Sequence, residues 1–154
     1  LTGNAPPFIR DADVKGKNAY ANLEMQRFIA KHGLHRYKMN PKFPFNSISL
    51  LRMLVSLGSD DQIKLIEMLT PAIWEEGLDV SDATAVAMIL TKAGLDAEFL
   101  IAKAQDPAIK QAVINNTEKA VERGVFGIPT FFIGEEMFFG KERLEQIEEM
   151  LEKS

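Results

Sequence analysis

The chain has 154 residues, 46% of them apolar, enough for one folding unit to bury a core. Its 22 acidic and 18 basic residues are spread along the sequence for a net charge of −4, so no basic stripe offers itself to nucleic acid. Cysteine is absent, which excludes a disulfide, a thiolate nucleophile or a sulfur-bound metal within these residues. No apolar run approaches the roughly 20 residues of a membrane helix, and Leu1 to Arg10 lacks the order of a signal peptide, so a cytoplasmic protein is expected.

The chain opens inside a turn-like stretch, Gly3-Asn4-Ala5-Pro6-Pro7, from which we expect a natural beginning upstream of Leu1. Tyr20, Leu23 and Phe28 then predict a helix from Lys17 to Lys31, closed by Gly33. Pro41 and Pro44 make Lys38 to Asn46 a loop. Ser47 caps a helix carrying Leu50, Leu51, Leu54 and Leu57, which stops at Gly58. Ser59, Asp60 and Asp61 start another, with Ile63, Ile66, Leu69, Ile73 and Trp74 on one face, a kink expected at Pro71 and an end at Gly77. Shorter helices follow from Asp82 to Ala93 and from Asp96 to Gln105. Asp106-Pro107, a cap followed by proline at the first helical position, starts a helix that reaches Arg123, with Ile109, Val113, Thr117, Ala120 and Val121 on or beside its inward face.

At Gly124 the pattern changes. Ile128-Pro129-Thr130-Phe131-Phe132-Ile133 and Met137-Phe138-Phe139 are short, β-rich runs joined by Gly134-Glu135, which predicts a hairpin. A last helix turns Leu144, Ile147, Met150 and Leu151 inward and its glutamates outward. An isolated hairpin is marginal, so these strands are expected to join a larger sheet, its other strands upstream of Leu1. Pro129 is open to two readings: it merely begins a strand, or it is a cis residue that turns the polar groups of Ile128 outward toward an extended ligand. His32 and His35 lack the spacing of helical metal ligands and are read as surface or cap residues, and no metal site is expected.

Helix, Gly124-Val125-Phe126-Gly127-Ile128-Pro129-Thr130-Phe131-Phe132, hairpin and final helix together resemble the C-terminal half of DsbA-type thioredoxin folds. Within that superfamily the chain is similar to the 2-hydroxychromene-2-carboxylate isomerases and kappa-class glutathione transferases. The match lies in Gly3 to Pro7, Lys42-Phe43-Pro44-Phe45-Asn46-Ser47, Trp74 to Asp82, and Gly124 to Arg143. The resemblance implies an α/β, thioredoxin-like fold with a large all-α inserted domain. Residues 1–14 would end an N-terminal thioredoxin unit, 15–123 form the insertion and 124–154 the ββα unit, with the N-terminal βαβ unit missing.

The resemblance also implies glutathione as cofactor and a serine upstream of Leu1 that holds its sulfur. Ile128 and Pro129 would pair with its cysteinyl part, and Lys141, Glu142 and Arg143 would meet its γ-glutamyl group, Glu142 standing where the family has Asp. Asn4 serves either the turn or the glutathione and substrate, and Asn116 is a candidate for the substrate pocket. A wall drawn from Phe43, Phe45, Phe126 or Trp74 would accept a planar aromatic carboxylate.

The implied activity is conversion of 2-hydroxychromene-2-carboxylate to trans-o-hydroxybenzylidenepyruvate in naphthalene-type catabolism, by a homodimer without nucleic-acid or membrane partners. The alternatives are a DsbA-type thiol–disulfide oxidoreductase, a kappa-class glutathione transferase, or a non-enzymatic helical binding module if the chain is complete.

Overall fold

The computed structural model describes residues 13–152. The chain divides into two compact units, one within residues 4–114 and the other from Asn115 onward. Helices α1 (Lys17–Lys31), α2 (Ile48–Val55), α3 (Ser59–Trp74), α4 (Ala83–Lys92) and α5 (Ala97–Lys103) belong to the first, and the boundary falls within α6 (Pro107–Glu122).

The first unit is built around α2 to α5, whose leucine-rich faces make its core. Leu50, Met53, Leu65, Leu69, Val86, Leu90 and Leu100 bury their side chains there. Each fully buried leucine contributes about 2 kcal/mol of transfer free energy. Acidic caps set where the shorter helices begin. Asp82 accepts from the backbone N–H groups of Thr84 and Ala85 at 2.9 and 3.1 Å, and Asp96 accepts from that of Phe99 at 2.9 Å. Asp106 accepts from Ala108 N–H at 2.8 Å; that bond, with the Lys103 ammonium, holds its carboxyl below the ordinary carboxylate value.

Ser47 occupies the cap position of α2, but its hydroxyl makes no capping bond. The preceding Asn46 does so instead, its side-chain oxygen accepting from Ile48 N–H at 2.9 Å. α3 runs as one helix through Pro71.

A loop crosses from α1 to α2 and is fixed to the end of α3. Lys38 N–H donates to the Trp74 carbonyl at 2.6 Å. Asn40, only 2% exposed, donates to the carbonyls of Ile73 and Leu78, both at 2.9 Å, and accepts from Lys42 N–H at 2.8 Å. Burying an amide is costly unless it is bonded, and here three bonds engage it. The Phe43–Pro44 peptide in this loop is cis, where sequence reasoning saw only punctuation.

In the second unit, β1 (Thr130–Ile133) and β2 (Glu136–Phe139) form an antiparallel hairpin that pairs Thr130 with Phe139 and Ile133 with Glu136. Among the described residues the sheet has these two strands. A 3-10 turn, Lys141–Arg143, leads into α7 (Leu144–Glu152). The apolar stripe of α7 is present but not covered, with Leu144 and Leu151 49% and 56% exposed. The expected inward face of α6 likewise holds no fully buried residue. Both helices carry the apolar spacing without, among the described residues, a layer that fills it.

Candidate functional site

After α6 the chain bends at Gly124, and Val125 N–H still reaches the Ala120 carbonyl at 3.0 Å. The segment Phe126 to Thr130 is then locked from three sides. Thr130 donates its hydroxyl to the Gly127 carbonyl at 2.7 Å, Gly140 N–H donates to the Pro129 carbonyl at 2.9 Å, and the Phe126 ring packs on Phe139 with centroids 4.6 Å apart.

Gly127 suits that packing: a Cβ at this position would stand 2.8 Å from Cε2 of Phe139, so a side chain here would force the ring to shift from its present place over the loop. Arg123 braces the other end of the hairpin. Its guanidinium lies 3.5 Å from the centre of the Phe132 ring and donates to the Gly134 carbonyl at 3.0 Å.

Of the two readings of Pro129, the cis one holds: the Ile128–Pro129 bond is cis. Ile128 is 90% exposed, and among the described residues its backbone makes no hydrogen bond. An extended chain laid beside it would find an open donor and acceptor.

The bond from Gly140 to Pro129 brings the segment Lys141 to Arg143 to the same end of the hairpin. There the Glu142 carboxylate accepts from Lys141 Nζ at 2.7 Å and folds back over Gly140, where a Cβ would lie 2.9 Å from Oε2. Gly140 also has φ of +99°, a conformation L side chains rarely adopt. The Lys141 ammonium, followed by the backbone N–H of Glu142 itself, holds the Glu142 carboxyl below the ordinary glutamate value. This end of the unit therefore carries one negative charge between two cations, Lys141 and Arg143, near the exposed, unpaired backbone of Ile128.

Five of the residues expected from sequence, Ile128, Pro129, Lys141, Glu142 and Arg143, thus come together. Asn116 lies on an exposed part of α6, and Asn4 lies outside the described residues. The suggested aromatic wall divides: Phe126 packs within the second unit, whereas Phe43, Phe45 and Trp74 form one group in the first, with centroids 5.8 to 5.9 Å apart.

Sequence reasoning missed Tyr37, whose ring stacks near Trp74 at 6.1 Å, and Asn40, which holds the loop between them. Both act through partners more than 30 positions away, and no local pattern encodes such a pairing. His32 and His35 are exposed, and among the described residues no three His, Cys, Asp or Glu side chains are grouped to hold a metal. Nor is any described helix long and apolar enough to cross a membrane.

The model of the DsbA-like thioredoxin domain family matches residues 2–152. A 2-hydroxychromene-2-carboxylate isomerase of Pseudomonas putida is 30% identical over 150 residues, which cover 95% of this chain and 70% of that protein. Glutathione S-transferase kappa 1 of Homo sapiens is 25% identical, with 97% of this chain and 71% of that protein covered. A solved structure of a 2-hydroxychromene-2-carboxylate isomerase superposes with a TM-score of 0.79 at 26% identity, over 93% of this chain and 70% of that one. The chain thus belongs to the DsbA-like thioredoxin family, among the relatives of the 2-hydroxychromene-2-carboxylate isomerases.

Proposed function

We propose that the protein is a glutathione-dependent isomerase of a planar aromatic carboxylate, of the 2-hydroxychromene-2-carboxylate type, acting as a cytoplasmic homodimer in aromatic catabolism. The observation that carries this reading is the juxtaposition of Ile128 and Glu142 at one end of the hairpin, joined through the bond from Gly140 to Pro129.

The donor set suits glutathione. The open N–H and C=O of Ile128 match the amide groups of its cysteinyl residue, which any side chain at position 128 would leave accessible. The Glu142 carboxylate matches the γ-glutamyl ammonium, and the cations of Lys141 and Arg143 match the carboxylate beside it. The peptide groups at the start of the 3-10 turn add a positive dipole end to the same place.

Glutathione held there by Ile128, Glu142, Lys141 and Arg143 would supply a thiol nucleophile for reversible addition to the conjugated system of the substrate. The part of this chain is to hold and orient: Ile128 aligns the cysteinyl backbone, Glu142 and its flanking cations fix the far end, and the Phe126–Phe139 pair keeps the loop from moving.

The likeness to the kappa-class transferase favours a second reading, conjugation of glutathione to an electrophile. One assay separates the two. With 2-hydroxychromene-2-carboxylate and glutathione supplied to the full chain, the isomerase reading expects product to form while glutathione is recovered in full, with no turnover when glutathione is omitted. Stoichiometric consumption of glutathione would move the conclusion to the transferase, and no turnover with both present would overturn it.

A further inference from the structure

Within the helical unit, α1, the loop after it and the C-terminal end of α3 enclose a hollow of about 550 Å³, inside the range of roughly 300–1,000 Å³ typical of small-molecule sites. Aromatic rings line one side of it. Tyr37 and Phe43 both lie beside Trp74, with ring centroids 6.1 and 5.9 Å from that of the indole and ring planes inclined to it by 24° and 52°. Met25, Leu34 and Met39 complete the apolar lining, and all three remain exposed.

The rings are set before any ligand arrives. The Lys38–Trp74 backbone bond and the three bonds of Asn40 fix the loop on the end of α3, and Phe45 adds a further contact to the indole, with centroids 5.8 Å apart. A wall already ordered spares a ligand the entropy cost of assembling it.

The charges around the hollow are unequal in depth. Glu75, next in sequence to Trp74, has a side chain only 27% exposed, whereas Arg36, whose Nε pairs with it at 3.2 Å, is 83% exposed, and His35 is exposed as well. The least exposed charge of the lining is therefore a carboxylate beside the indole, while its cationic partner stands in water. An ion pair with so exposed a member adds little stability, so Arg36 gives up Glu75 to another cation at small cost.

We propose that this hollow binds a small quaternary ammonium compound, its methylated nitrogen against Trp74, Tyr37 and Phe43 and its charge balanced by Glu75. A cation is attracted to an aromatic face within about 6 Å of the ring centroid, most strongly over indole. A quaternary nitrogen has no N–H to leave unpaired on an apolar wall, and its methyl groups suit the adaptable thioethers of Met25 and Met39. Every residue involved lies between positions 25 and 75, so the site stands or falls apart from the glutathione reading.

The test uses the full chain and two probes of the same shape, choline and its uncharged isostere 3,3-dimethylbutan-1-ol. Calorimetry gives the affinities, and because Trp74 is the only tryptophan, intrinsic fluorescence reports on this hollow directly. We expect choline to bind saturably with a change in Trp74 emission, and the alcohol to bind about tenfold more weakly. Glu75→Gln is expected to weaken choline several-fold, and Tyr37→Leu, which stays apolar but loses a π face, to weaken it likewise. Arg36→Gln removes the competing cation and is expected to tighten choline about twofold.

A short peptide carrying one trimethyllysine separates the sources of such a group: we expect it to bind no more tightly than choline, and tighter binding would overturn the assignment to a free small molecule. Absence of saturable choline binding, equal binding of choline and the alcohol, unchanged binding in both Glu75→Gln and Tyr37→Leu, or weaker binding in Arg36→Gln would each overturn the site itself.

Discussion

Glu142 is the residue whose charge state the cofactor reading depends on, and Lys141 sets that state. Because the folded protein favours the ionised form, the carboxylate's contribution is present above the ordinary glutamate value of 4.5 and is lost only as pH falls through the lower folded value. A carbon-detected NMR titration is expected to place the Glu142 midpoint below 4.5, and Lys141→Met to move it upward. An unchanged midpoint in that variant would show that Lys141 is not the cause. Gly127 acts differently, by what it lacks. Gly127→Ala puts a methyl group against Phe139 and is expected to lower glutathione affinity several-fold by displacing the loop before Pro129, and Phe139→Leu in the same chain is expected to recover most of it. Loss without recovery would mean that the alanine acts on the backbone rather than through the ring. Asn40 tests the other unit: Asn40→Ala strands two carbonyls and an N–H, and is expected to cost roughly 2–3 kcal/mol in urea unfolding.

At the scale of elements, what the sequence made legible depended on how local the cause was. α1 runs from Lys17 to Lys31 as its spacing predicts, and α4, α5 and α6 start beside Asp82, Asp96 and Asp106, because a cap and its N–H partners lie within three residues of each other. Asp82→Ala is expected to lower stability by about 1 kcal/mol, measured by thermal unfolding, since it removes two cap bonds to exposed N–H groups. The hairpin was legible for a similar reason, its turn being fixed by Gly134-Glu135 between two apolar runs. What the sequence hid were pairings at long range. The packing of Phe139 against Gly127 has no signature in either segment alone. Of the candidate site, the cis bond before Pro129 was one of two readings a local motif offered, whereas the meeting of the Tyr37 ring with Trp74 at the end of α3 has no local signature.

Over the whole molecule, the two units divide the proposed work: the part from Asn115 onward presents open backbone and a clamped carboxylate, and the helical part presents a fixed aromatic wall. The chain belongs to the DsbA-like thioredoxin family, and the pairing of Glu142 with Lys141, at the end of the hairpin that carries the cis-proline, is where the proposed thiol cofactor becomes testable. The most direct measurement is calorimetric titration of glutathione into the full chain and into Glu142→Gln. The account predicts saturable, one-to-one binding to the wild type, weakened about tenfold in the variant because the γ-glutamyl ammonium loses its charged partner. No binding to the wild type, or equal binding to both, would contradict it.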